Sequence, residues 1–215
     1  MTGQYKQSPW KYHGTIPNFE DIETNRYHCV GRVIDNIEPH IKALDWENDS
    51  YIARSILERH KDENYANYNE ENSNFSSIEP TPGDYFSKMG AMTRMKNCEV
   101  FIHKMDPARF TILHQDFYKG FRERHGYGHI GDDEVHNIVR RYWVTLQDWK
   151  SGHYYETNGN PIVGWKAGDV HTGPGYHPHL AANAGLVPRY FCVITGLMTD
   201  DMFGDKGYEE IKLEV

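Results

Sequence analysis

Cysteine is scarce in this 215-residue chain: Cys29, Cys98 and Cys192 stand far apart, and no C-x-x-C pair occurs. That excludes a disulfide framework and argues against a thiolate zinc site, while free thiols suit a reducing cytosol. Long apolar runs are missing too. The longest, "YFCVITGLM" at 190–198, is far too short to span a bilayer, and the opening "MTGQYKQSPWKYHG" has no apolar signal core. The chain therefore reads as a soluble, cytoplasmic protein without membrane contact. Cations are in deficit, with 23 Lys and Arg against 31 Asp and Glu and a net charge of −8. Nucleic-acid affinity rests on clustered cations, so nucleic acid is not an expected partner. The one local basic candidate is "FRERH" (121–125) with Arg140 and Arg141. No G-x-S-x-G, no GK[ST] loop and no strand–helix alternation is present, which leaves serine-hydrolase, P-loop and Rossmann readings without support.

What is present is enough apolar and aromatic material, 38% and 13%, for one domain with a sizeable core and a terminal extension. The first 30 residues look irregular. From Val33 to about Arg59 the apolar spacing is helix-like, with Asp49 and Ser50 placed to cap a second helix through Ile52, Ile56 and Leu57. Residues 61–83 are acidic, Asn-rich and nearly free of aliphatics, which predicts a surface loop. From Asn97 the texture is β. "CEVFIHKM" and "ARFTILHQD" flank a "DP" turn, and the Gly-rich loop "FYKGFRERHGYGHIGDDE" follows. Next come "VRRYWVTLQDW", "IVGWKAGDVHTGP", "YHPHLAAN" and "RYFCVITGLM", separated by turns. About seven short strands without intervening helices predict a mainly β antiparallel sandwich or barrel, with N-terminal helices packed on one sheet. The expected division is a supporting region over 1–95, a core over 96–200 and a tail over 201–215.

Strand side chains alternate faces, so Phe110, Ile112, His114 and Asp116 of "FTILHQD" share one. Two metal-ligand types on one rigid strand end, with apolar residues behind them, suit a metal. A third ligand is offered by His177 or His179, again two apart, and spacing favours His179. His114, Asp116 and His179 would make a two-histidine, one-carboxylate facial triad, which suits Fe(II) and leaves adjacent positions open. Arg189 leads the face that carries Phe191, Val193 and Thr195. A buried Arg there is costly unless it meets an anion, and a dicarboxylate chelating the iron would present one. On "RRYWVTLQDW", Arg141, Trp143, Thr145 and Gln147 form the more polar face. In "WKAGDV", Gly168 and Asp169 read as a tight turn and Trp165 as packing; Asn183 reads as fixing the turn after the distal histidine. His171, His125, His129 and His136 read as ordinary surface histidines.

The set "HQD", His179 at 63 positions beyond Asp116, and Arg189 ten positions later resembles the Fe(II)- and 2-oxoglutarate-dependent dioxygenases. "RRYWVTLQDW", "GWKAGDV" and "HLAANAGLVPRYFCVITG" are most similar to the aspartyl/asparaginyl β-hydroxylase and proline-hydroxylase-like branch. The resemblance covers roughly the C-terminal half. It implies a double-stranded β-helix of the jelly-roll or cupin kind. It also implies His114, Asp116 and His179 as catalytic metal ligands, with Fe(II), 2-oxoglutarate and O2 as cofactors. Arg189, Arg141, Trp143 and Thr195 would line the co-substrate pocket. The implied reaction hydroxylates a C–H bond of an amino-acid residue, free or in a peptide or protein, with release of succinate and CO2. The Gly-rich loop and the acidic 61–83 segment are candidates for closing the site. Asp116 fills the position a halide would need, which argues against halogenation.

A non-oxygenase cupin, acting as an isomerase, an epimerase or a ligand-binding module, is the main rival. "GDVHTGP" followed by "HLAAN" resembles the second cupin motif, but the first wants His-x-His where this chain has His114-Gln115-Asp116. A capsid-like jelly roll with an incidental metal is a further one, and it predicts no 2-oxoglutarate binding.

Overall fold

The computed structural model describes residues 28–53, 74–132, 134–173, 175 and 177–213. Twelve strands form two sheets among these residues. The strands are β1 (His28–Val33), β2 (Tyr51–Ala53), β3 (Phe75–Ile78), β4 (Lys96–Met105), β5 (Arg109–Phe110), β6 (Val139–Thr145), β7 (His153–Thr157), β8 (Asn160–Ile162), β9 (Asp169–Thr172), β10 (His179–Asn183), β11 (Arg189–Leu197) and β12 (Glu209–Ile211). The large sheet runs β12-β1-β9-β6-β11-β4-β3-β2 and the small one β5-β10-β7-β8. All pairings are antiparallel except β1 with β12. The fold is mainly β, a double-stranded β-helix in two facing sheets, as the strand pattern predicts.

Alternation along the central strands separates two cores. Val100 and Ile102 of β4, Tyr142 and Val144 of β6, and Cys192 and Ile194 of β11 face outward. There they meet two helices, α1 (Glu38–Lys42) and α2 (Tyr85–Met92), and the C-terminal Met202, Phe203 and Leu213. Asp84 starts α2 by accepting a hydrogen bond from the Ser87 amide at 2.8 Å, the N-cap arrangement that satisfies a free helix-end donor. Phe86 and Met89, which α2 lays on the sheet, are 2% and 0% exposed, and each contributes roughly 1.5–3 kcal/mol by burial. The opposite faces of the same strands carry Met105, Trp143, Phe191 and Val193 into the space between the sheets, where Tyr155, Trp165 and Ala181 meet them.

The N-terminal expectations need correction. Only Glu38–Lys42 is helical between 33 and 53, and Tyr51–Ala53, expected to open a helix, is a strand pairing with β3. Residues 75–78, expected within a loop, form β3 against β4. Strands β1, β2 and β3 thus belong to the large sheet although they precede residue 96, and β12 adds a C-terminal strand beside β1. The helix expected through Ile56 and Leu57 and most of the acidic segment lie outside the described residues. Within the Gly-rich stretch a helix α3 (Lys119–Arg124) forms. Among the described residues no helix is long and apolar enough to cross a membrane.

Candidate metal centre and anion pocket

After β5 the chain stays extended beside β10. The Thr111 amide donates to the Ala181 carbonyl at 2.7 Å, and His114 and His179 exchange two backbone hydrogen bonds, at 3.0 and 2.8 Å. Regular pairing over the expected strand is confined to Arg109–Phe110 and this one bridge at His114. The bridge sets the two imidazoles side by side, with ring centroids 4.3 Å apart. Asp116 follows, its amide donating to the Gly175 carbonyl at 3.2 Å. Ligand atoms of His114, Asp116 and His179 all lie within 4.8 Å of one another.

Each imidazole is oriented for metal binding by its own backbone. Nδ1 of His114 lies 2.7 Å from the Ile112 carbonyl, and Nδ1 of His179 lies 2.9 Å from the His177 carbonyl. A carbonyl only accepts, so Nδ1 donates in both rings and Nε2 is the nitrogen left to face a metal. Nε2 of His179 is 3.5 Å from Asp116 Oδ2. Burial, with the neighbouring His179, pushes the His114 pKa down to about 3, so its ring is neutral. Burial alone would raise the Asp116 carboxyl, but Arg141 foremost, then His179 and His114, hold it at about 2. His177 serves through its carbonyl; its ring is buried, and burial drops its pKa to about 4.

Arg141 does not project into open space. Its Nη1 donates to Asp116 Oδ2, its Nε donates to Thr195 Oγ1 at 3.0 Å, and its guanidinium lies 5.0 Å from the Tyr118 ring centroid. Thr195 and Arg141 stand directly opposite in the β6–β11 ladder, which makes that bond a product of register. Through these contacts Arg141 and Thr195 are tied to the metal-ligand candidate Asp116.

Arg189 is different. It is 1% exposed, and none of its three guanidinium nitrogens has a hydrogen-bond partner among the described residues. Aromatic rings surround it: Phe191 at 4.5 Å, Trp143 at 5.1 Å, Trp165 at 5.3 Å and Tyr155 at 5.9 Å from the guanidinium carbon. Burial pulls its pKa down to about 9, which still leaves it charged at neutral pH. Tyr155 connects it to the triad, because its ring lies 6.0 Å from that of His179. Further buried polar atoms without partners among the described residues are Trp143 Nε1, His103 Nδ1 and Ser77 Oγ; the His103 ring lies 5.0 Å from that of Phe191, and Ser77 stands opposite His103 in the β3–β4 ladder. Burial, with the fields of Arg141 and Arg189, lowers the His103 pKa to about 3.

His103, Tyr155 and Ser77 join the surroundings of Arg189 without having been expected there. For His103 the signal existed, since it alternates with Phe101 and Met105 along β4. His171, expected at the surface, is 6% exposed on β9, facing Trp143 at 5.2 Å. Burial lowers its pKa to about 4. Within the basic stretch the arginines pair internally. Arg122 is buried and bonds the Ile130 carbonyl and Asp132, and Arg124 is paired with Glu99. Asn183 fixes its turn by donating from Nδ2 to the Met105 and Val187 carbonyls at 2.8 Å each and accepting from the Gly185 amide at 3.0 Å.

Comparisons with known proteins place the strand arrangement beside others. No protein-family model matches the chain, and no curated protein does. Among solved structures, a predicted oxalate decarboxylase from Thermotoga maritima is similar at 16% identity and a TM-score of 0.34, covering 58% of this chain and 82% of that one. A Cupin 2 conserved barrel domain protein from Salinispora arenicola gives 13% identity and 0.35, with 58% and 76% covered. A cupin-like protein from Thermotoga maritima gives 14% and 0.35, with 58% and 69% covered.

Proposed function

We propose that this protein is an Fe(II)- and 2-oxoglutarate-dependent dioxygenase that hydroxylates a C–H bond of an amino-acid residue, free or in a peptide or protein, in the cytoplasm. The observation that carries the reading is Arg189: a charged guanidinium, fully buried, with five N–H donors and no acceptor among the described residues. Such a group is strongly disfavoured unless an anion fills the space beside it. A carboxylate is its bidentate match. The triad beyond Tyr155 supplies two imidazoles and one ionised carboxylate, a donor set suited to Fe(II).

In this reading His114, Asp116 and His179 hold the iron, and Arg141, held by Thr195, fixes the rotation of the Asp116 carboxylate. Arg189 takes the far carboxylate of 2-oxoglutarate, and Trp143 offers its indole N–H to the same molecule. The Phe191, Trp143, Trp165 and Tyr155 rings keep water from the guanidinium, which strengthens the pairing in a low-dielectric pocket. Iron with 2-oxoglutarate and O2 supplies the oxidising chemistry, which ends in succinate, CO2 and a hydroxylated substrate. The charge of −8 and the internal pairing of Arg122 and Arg124 favour an amino-acid or peptide substrate over a nucleic acid.

The test is anaerobic addition of Fe(II) and 2-oxoglutarate to purified protein, followed by visible absorbance. A metal-to-ligand charge-transfer band, weakened in Asp116→Ala and Arg189→Ala, is expected. A second reading, a non-oxygenase cupin that binds a small carboxylate, is favoured by the same Arg189, whose donors accept any such anion. Metal binding without the band gives that reading first place.

A further inference from the structure

Strands β1 and β9 bring a second set of ligand atoms together on the inner face of the large sheet. Cys29, Asp169 and His171 each offer one, and all lie within 4.8 Å of one another. Asp169 and His171 share a face because they are two apart on β9. Cys29 stands opposite His171 and Arg32 stands opposite Asp169. Residues 29 and 32 are three apart and would point to opposite faces of a regular strand. A bulge between Cys29 and Gly31 turns the thiol onto the face of the other two. The bulge is built around a glycine that nothing can replace: a Cβ on Gly31 would lie 2.2 Å from the Glu209 carbonyl oxygen and 2.5 Å from the Phe203 ring.

His171 supplies the independent sign of a ligand. It is 6% exposed, and neither ring nitrogen has a hydrogen-bond partner among the described residues. A buried imidazole with both nitrogens idle is expensive. Asp169 is already oriented, as metal-binding carboxylates are. Arg32 donates to Oδ1 from both Nε and Nη2 at 2.7 Å, and the Lys166 amide donates to Oδ2 at 2.8 Å, so Oδ2 is the oxygen that keeps a lone pair for a metal.

We propose that Cys29, Asp169 and His171 form a second metal site, which takes a zinc-class divalent cation through one thiolate, one carboxylate and one imidazole. Three protein ligands of this mixed kind leave the fourth tetrahedral position to water. Binding releases the thiol proton of Cys29. Thiolate and carboxylate together neutralise the ion, and Arg32 remains as a cation held by the carboxylate. The site ties β1 to β9 and shares a wall with the anion pocket, since the Trp143 ring lies 5.2 Å from His171 and 5.1 Å from the Arg189 guanidinium. Absence of any C-x-x-C hides such a site from the sequence, because its ligands meet only through the bulge.

The test uses Co(II) on the full-length, chelator-treated His114→Ala/His179→Ala double variant, in which the triad is disabled. Co(II) is expected to bind at one equivalent with a near-ultraviolet thiolate-to-cobalt charge-transfer band that zinc abolishes. Cys29→Ser should remove the band, and His171→Asn should weaken Co(II) binding at least ~10-fold. No binding, binding without the band, or a band that survives Cys29→Ser would overturn the site. Zinc X-ray absorption on the double variant needs no change at Cys29, and there a shell without sulfur would overturn it equally. Failure of the dioxygenase reading leaves all these outcomes unaffected.

Discussion

The guanidinium of Arg189 lies 4.5 Å from the ring of Phe191, two residues along β11, and donates to nothing among the described residues. Cation–π contact on an enclosed face is worth about 2 kcal/mol, less than the several kcal/mol that an unpaired buried charge costs. Ligand-free protein therefore stores a destabilising charge, and filling the pocket relieves it.

Arg189→Met tests that imbalance directly. The substitution keeps the apolar contacts and removes the charge. Ligand-free Arg189→Met should be more stable than the wild type by roughly 1–4 kcal/mol. It should also lose any thermal stabilisation by 2-oxoglutarate. Urea unfolding with and without the co-substrate checks both. A variant less stable than the wild type in the absence of ligand would make Arg189 a structural residue.

Arg141 acts on the metal through Asp116. In Arg141→Gln the carboxylate loses the partner that orients and ionises it, and metal affinity should fall roughly 10–100-fold. Thr195→Val removes only the bond from Arg141 Nε, 3.0 Å long, and about 1 kcal/mol is expected, near a fivefold loss. Mn(II) titration followed by electron paramagnetic resonance reads both. Tighter binding in Arg141→Gln would mean that Arg141 competes with the metal for Asp116.

Period-two alternation makes the inner faces of β6 and β11 legible in the sequence. Arg141 and Trp143 do share a face, as do Arg189, Phe191, Val193 and Thr195. The hydrogen-bonded target of Arg141 was not readable, because it depends on where the irregular segment after β5 returns. The helix-like spacing of 33–59 misled for a related reason: Tyr51–Ala53 is claimed as a strand by its pairing with β3, which lies more than twenty residues further along the chain. His171 reads as a surface residue in a Gly- and Pro-rich stretch. The pairing of β9 with β1 and β6, both distant in sequence, buries it.

Gly168 connects fold to site. Its φ is +86°, and a Cβ would lie 1.9 Å from the Val33 carbonyl oxygen. Its carbonyl accepts from the Val33 amide at 2.9 Å and its amide donates to the Thr145 carbonyl at 2.7 Å, so the backbone cannot move aside without losing both bonds. Gly168→Ala should cost at least about 2 kcal/mol, through left-handed backbone and overlap together. A lower urea midpoint at unchanged slope is the expected signature. A loss under about 0.5 kcal/mol would show that the turn rearranges.

Acid should unfold this protein through its buried histidines. His103 and His114 are held at about 3, and His171 and His177 at about 4, against 6.5 for an ordinary histidine. Between those values and 6.5 the unfolded chain takes up protons that the folded chain refuses. Stability is therefore fully present above 6.5 and falls as the pH drops towards 4. Each such histidine contributes at most about 1.4 kcal/mol per pH unit in that window. Asp116, held at about 2 against 3.8, adds a loss of the same sign as the pH falls from 3.8 towards 2. Urea unfolding of metal-free protein at about pH 7, 6 and 5 should show a steep decline. In His103→Gln the slope should drop by about one proton, since an amide cannot charge. An unchanged slope in that variant would mean that His103 becomes protonated in the folded protein, with solvent reaching the inter-sheet space beside Arg189.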